Sequence, residues 1–136
     1  MSTRLALAWL LGLALFAAAF SAPALAKAQS PSEAYLAFAA AAQKATTLEE
    51  ILPHLSKEYR AMLAGQPKDQ KPVWLERMKD SVNMTEIKIT KETVSGSKCA
   101  LEGTAKSAKG MPLKGKVSMV NEDGAWRLDE QMWSTF

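Results

Sequence analysis

Apolar residues along this chain follow three successive rhythms. From Leu5 to Phe20 they run almost unbroken, mostly as Leu, Ala, Phe and Trp. From Tyr35 to Val82 they recur at helical spacing, and from Ile87 to Leu128 they alternate with polar residues. A helix buries one stripe and a strand buries one face. The change from a period of about 3.6 to about 2 therefore marks a passage from helices to strands.

The helical stretch carries its own start and stop signals. Ser30-Pro31-Ser32-Glu33 is a capping box with proline at the first helical position, and it predicts a helix from Pro31 to about Ala45 with Tyr35, Phe38, Ala39 and Ala42 on one face. Thr47-Leu48-Glu49-Glu50 repeats the signal and opens a second helix through Ile51 and Leu52, which Pro53 divides into two short pieces. The later piece starts at Ser56, carries Tyr59, Met62 and Leu63, and stops at Gly65. Gln66 to Lys71 reads as a polar loop. Pro72 then opens a third helix with the stripe Trp74, Leu75, Met78 and Val82, ending near Asn83.

Four strands follow, at Glu86–Lys91, Lys98–Lys106, Lys114–Val120 and Ala125–Trp133, separated by the turns Ser95-Gly96-Ser97, Lys109-Gly110 and Asn121-Glu122-Asp123-Gly124. Helices first and hairpin-linked strands after give an α+β class with an antiparallel meander. Strict alternation puts Ile87, Ile89, Cys99, Leu101, Gly103, Ala105, Val117, Met119, Trp126 and Leu128 on the helix-facing side, with Glu130 continuing it. The other side would carry Glu86, Lys88, Glu92, Lys98, Glu102, Lys106, Lys114, Lys116, Arg127 and Asp129. Mixed charge of that kind marks a solvated face and argues for a monomer.

The apolar run at the start has a different reading. Arg4 precedes it and Ala24-Leu25-Ala26 closes it, the pattern of a secretory signal peptide cleaved after Ala26. The competing reading, an uncleaved anchor, fits the length but seldom ends in such a box. Cleavage divides the chain into residues 1–26 and a single domain over 27–136, places it in the periplasm or the medium, and leaves no stable membrane anchor. The remaining 110 of 136 residues suffice for one core.

Composition narrows the classes. The exported part carries sixteen basic and fourteen acidic residues, a net charge of +2 with no long basic run, too small and too interspersed for a binder of nucleic acid or of an anionic membrane. Cys99 is the sole cysteine, so no intramolecular disulfide forms and the thiol reads as a small core residue. With His54 the only histidine and no phosphate loop or nucleophile elbow, neither a metal nor another cofactor is implied.

Several segments together carry a resemblance. Pro31-Ser32-Glu33-Ala34-Tyr35, Leu52-Pro53-His54-Leu55-Ser56 and the closing Glu122-Asp123-Gly124-Ala125-Trp126-Arg127-Leu128 make most of residues 30–133 resemble the nuclear transport factor 2-like superfamily, in particular its small secreted bacterial members of unknown function. The resemblance implies a cone: helices packed on the concave face of a curved sheet, with a pocket between the first helix and that face. Some members are enzymes, such as ketosteroid isomerases and scytalone dehydratase, and many only bind ligands or partners. This chain departs from the usual layout in lacking a strand between Gly65 and Pro72.

An enzyme of that kind needs a base projecting into the cone. Glu130 is the one acid on the helix-facing side, with Tyr35 and His54 as further catalytic candidates. Tyr35, Tyr59, Trp74, Met78, Met119 and Trp126 are the residues that could line an apolar pocket, or else fill the core. Met132-Trp133-Ser134-Thr135-Phe136 either displays an apolar patch or tucks onto the helices. The expected function is an exported, non-catalytic binding or accessory domain that holds a small apolar ligand or an envelope protein partner. The alternative is an isomerase- or dehydratase-like enzyme with a pocket carboxylate or tyrosine.

Overall fold

The computed structural model describes residues 28–136; the expected export segment, residues 1–26, lies outside them. Helix α1 spans Pro31–Lys44 and starts at the expected box: the Glu33 N–H donates to Ser30 Oγ at 3.2 Å, and the Ser30 N–H donates to Glu33 Oε1 at 3.3 Å. Its stripe Ala34, Tyr35, Phe38, Ala39 and Ala42 is buried. Tyr35 and Phe38 are fully enclosed, and burying side chains of this size stabilises a fold by about 1.5–3 kcal/mol each.

The region expected to form the second helix tightens into two 3₁₀ turns, Leu48–Glu50 and Leu52–His54. Glu50 takes the N–H groups of Thr46 and Thr47 at 2.7 and 2.9 Å, so its carboxylate holds the first turn while Pro53 prevents propagation. The two turns still deliver Leu48 and Ile51 to the core. Leu55 and Ser56 then run alongside the sheet edge, where the Ser56 N–H donates to the Leu128 carbonyl at 2.8 Å. Ser56 caps helix α2, Lys57–Ala64, through the Tyr59 N–H at 3.2 Å. A 3₁₀ turn at Lys68–Gln70 occupies the expected loop, and helix α3 spans Lys71–Ser81 with Met78 buried. Gln43 ties the end of α3 to α1, donating to the Val82 carbonyl at 2.8 Å.

The strands are longer than expected: β1 Met84–Ser95, β2 Lys98–Ser107, β3 Pro112–Glu122 and β4 Ala125–Thr135, in the order β1-β2-β3-β4 and antiparallel throughout. The central pairing β2–β3 is regular from Lys98↔Val120 to Lys106↔Pro112. The two outer strands are not. β1 carries an extra residue between Thr85 and Lys88, where Glu86 takes φ 54°, and another between Ile89 and Lys91. β4 carries one between Leu128 and Glu130. Bulges bend a strand, raise its twist and discourage edge-to-edge pairing. They also reverse the alternation, so every residue beyond them changes face.

Two expectations fail for that reason. Glu130 does not continue the helix-facing row: with Asp129 as the extra residue it pairs with Ser118 and is exposed on the opposite face, while Gln131 pairs with buried Val117. Glu92 leaves the outer face, pairing with buried Leu101 and reaching the first turn of α1, where Oε1 accepts from Ser32 N–H and Oγ–H at 3.1 and 2.7 Å. A carboxylate at a helix N-terminus is favoured by the helix dipole. Among the described residues no helix is long and apolar enough to cross a membrane.

Candidate functional site

Beyond the β4 bulge, Gln131 and Trp133 turn toward the helices and meet Tyr35 of α1 and Ser81 at the end of α3. Their polar atoms form one directed chain. Trp133 Nε1–H donates to the Tyr35 oxygen at 2.9 Å, and the Tyr35 hydroxyl donates to Gln131 Oε1 at 2.6 Å. Gln131 Nε2 donates to Ser81 Oγ at 3.0 Å, and the Ser81 hydroxyl donates to the Met78 carbonyl at 2.6 Å. Only the second proton on Gln131 Nε2 takes no part in this chain. Burial raises the Tyr35 phenol to about 12, against the opposing effect of the Trp133 N–H. Tyr35 is thus a neutral donor at physiological pH, and a poor base.

The indole of Trp133 has a prepared bed. Gly103, Gly115 and Trp133 fall in register across three strands, and the ring lies over the glycines. A Cβ on Gly115 would run into that ring, and one on Gly103 would stand 2.7 Å from the Lys88 carbonyl. On its other side the indole stacks on Tyr35, centroids 6.4 Å apart, and Tyr35 stacks on Phe38 at 5.8 Å. Trp133 therefore tucks in, whereas its neighbours Met132 and Phe136 are 68% and 76% exposed. The terminal segment is neither wholly docked nor wholly displayed.

A cavity of about 310 Å³ opens at this end of the sheet, lined by Gln131 and Trp133 of β4, by Asp80, Ser81, Asn83 and Met84, and by Ser107 and Leu113. That volume lies at the small end of ligand pockets. Neutral donors and acceptors beside an indole edge can orient a small molecule, and Asp80 adds one carboxylate to the wall.

The other sequence-derived candidates lie elsewhere. His54 sits half-buried on its 3₁₀ turn, its ring edge-on to Phe38 at 6.5 Å. Burial, and secondarily the positive charge of Arg127, hold its pKa below the usual 6.5. Arg127 itself donates to the Pro53 carbonyl and lies 3.8 Å from Glu122, which accepts from the Lys57 N–H at 2.9 Å. His54 is thus set in a tie between the last hairpin and α2, separated from Tyr35 by the Phe38 ring. Met78 and Met119 are buried in the core beside Tyr35; Tyr59, Trp74 and Trp126 pack half-buried against it. Tyr59 points its hydroxyl at Met78 Sδ, 3.3 Å away, and Arg77 lies over the Trp74 ring at 5.1 Å. Buried Cys99 faces Met119, and burial, more than nearby Glu92, raises its thiol above the usual range.

Gln131 and Ser81 escaped the alternation reading. One signal was available: Leu128 and Trp133 lie five positions apart, an odd offset, so both can face inward only if an extra residue intervenes. Among the described residues, no group of three or more His, Cys, Asp or Glu side chains is placed to hold a metal ion. Compared with protein-family models, with curated proteins and with solved structures, the chain matches none of them.

Proposed function

We propose that this chain is an exported, non-catalytic binding domain of the nuclear transport factor 2-like type, active in the cell envelope and taking a small ligand in the cavity beside Gln131 and Trp133. The observation that carries the reading is the directed chain Trp133–Tyr35–Gln131–Ser81–Met78, in which each side chain is bonded to the next and none is a poised acid or base. Export is supported by the charged start, apolar middle and Ala-x-Ala box of residues 1–26. The ligand this wall suits is mostly apolar with one or two polar atoms, resting on the indole edge and Met84 while Gln131 and Asn83 orient it.

The enzyme alternative loses support where Glu130 turns away from the helices. It retains Tyr35, whose proton is already directed at Gln131, and the Asp80 carboxylate in the cavity wall.

Purification from a bacterial periplasm followed by native mass spectrometry tests the reading. A retained small molecule, released on unfolding and lost in Gln131→Leu, is the expected result. Turnover of a steroid- or polyketide-like substrate that disappears in Tyr35→Phe would replace it with the catalytic one.

A further inference from the structure

We infer that the sheet face turned away from the helices docks on an anionic phospholipid bilayer. Simple alternation would put acids and bases on this face in near balance. The bulges take Glu92 and Asp129 off this face and turn Glu130 and Lys91 onto it: Glu92 is drawn to the N-terminus of α1, and Asp129 accepts from Ser56 Oγ at 3.0 Å at the strand edge. Lys88, Lys91, Lys98, Lys106, Lys114 and Lys116 remain, against Glu86, Glu102 and Glu130. Two of those glutamates are already paired, Glu86 with Lys106 at 3.0 Å and Glu102 with Lys91 at 3.8 Å. Among the described residues, Lys88, Lys98, Lys114 and Lys116 have no ion-pair partner. The fold thus concentrates positive charge that the whole-chain total conceals.

Apolar tips stand among these lysines. Met132 pairs in register with Lys116, and Phe136 lies beneath Lys114 Nζ, 6.0 Å from its ring centre. Both are largely exposed. A hollow of about 530 Å³ lies on this face, with Lys91, Lys116 and Met132 in its wall beside Glu102 and Glu130. Ammonium groups at phosphate depth with apolar side chains entering the acyl boundary form a bilayer-contacting surface. An acidic soluble protein would be met by the lysines alone, with no use for Met132 and Phe136. Attachment of this kind is peripheral and salt-sensitive, unlike an inserted anchor.

Among the described residues the core runs from Ala34 to Leu128, and the form to test is the one that export would release in the reading proposed above, residues 27–136. The experiment is co-sedimentation with vesicles of equal parts phosphatidylglycerol and phosphatidylcholine, compared with phosphatidylcholine alone, at low and high salt. Partition onto the anionic vesicles only, lost at high salt, is expected. Lys114→Gln with Lys116→Gln should weaken it by roughly tenfold or more. Met132→Ser with Phe136→Ser should weaken it several-fold with the circular dichroism unchanged. The inference is overturned by absence of binding at low salt, or by equal binding to neutral vesicles. Competition by polyglutamate, with the Met132 and Phe136 changes having no effect, would overturn it in favour of an acidic protein partner.

Discussion

The hydroxyl of Tyr35 lies 2.6 Å from Oε1 of Gln131, joining the first helix to the last strand across 96 residues of chain. The bond also fixes the carboxamide orientation, because an oxygen that receives the phenol proton leaves Nε2 to face Ser81. Tyr35 accepts from Trp133 as well, so a single oxygen holds two side chains of β4.

Removing that oxygen should cost more than one hydrogen bond. Tyr35→Phe keeps the stacked ring but leaves Gln131 Oε1 and Trp133 Nε1 without their partner in a part-buried setting. The expected loss is about 1–3 kcal/mol, read as a lower urea midpoint with an unchanged slope. A loss near zero would mean that water or a ligand takes the place of the phenol oxygen.

The Trp133 bed makes a sharper prediction. Alanine at Gly115 places a methyl group where the indole now rests, and the ring cannot move away without giving up Tyr35. Gly115→Ala should destabilise by about 1–3 kcal/mol and shift the tryptophan emission to the red. Trp133→Leu combined with Gly115→Ala should recover part of that loss, since the clash and the ring leave together.

The elements of this fold were legible because their signals are local. The Ser30 capping box needs only residues 30–33, and the Asp123-Gly124 turn only its own neighbours; both form where expected, with Asp123 and Gly124 at φ 54° and 83°. The facing of Glu92 was not legible, and that of Glu130, Gln131 and Trp133 only through the odd offset between Leu128 and Trp133, because it depends on bulges that no neighbouring residue compels. The bulge at Asp129 is held by Ser56, 73 residues earlier, and Glu86 enters positive φ without being a glycine. The site inherits this limit. Tyr35 was identified from its helical stripe, while its partners Gln131 and Ser81 are brought to it only by the shifted register. The second helical region did form as short pieces, but Pro53 stands at the start of the second 3₁₀ turn and not between the two.

His54 gives the fold a pH dependence with a definite sign. Its pKa in the fold is held below the unfolded 6.5, chiefly by burial and then by Arg127, so the unfolded chain binds the proton more readily. Stability from this group is fully present above pH 6.5 and is lost as the pH falls through the folded value. Chemical unfolding between pH 7 and pH 5 should therefore show a falling midpoint, and His54→Gln should flatten the slope. The carboxylates Glu49 and Glu50, held below their usual 4.5 by Lys71 and by the Thr46 and Thr47 N–H groups respectively, act in a more acidic window and leave this comparison clear.

The bulge itself can be tested through Ser56 and Asp129. Ser56 is 1% exposed and serves three structures at once: its N–H pairs with Leu128, its oxygen caps α2 through Tyr59, and its hydroxyl donates to Asp129. Ser56→Ala removes the cap and should cost about 1 kcal/mol from that alone. It also leaves Asp129 without its Ser56 donor, so the two positions should be coupled. A double-mutant cycle with Asp129→Ala should give an interaction energy of roughly 0.5–1.5 kcal/mol, measured by urea unfolding. Trp133 emission adds an independent readout. If the hydrogen bond holds the extra residue in place, losing it should loosen the register beyond Leu128 and expose the indole, whereas a change confined to the cap would leave the emission where it was. Zero coupling together with unchanged emission would assign the bulge to the packing of Leu128 and Val117 instead.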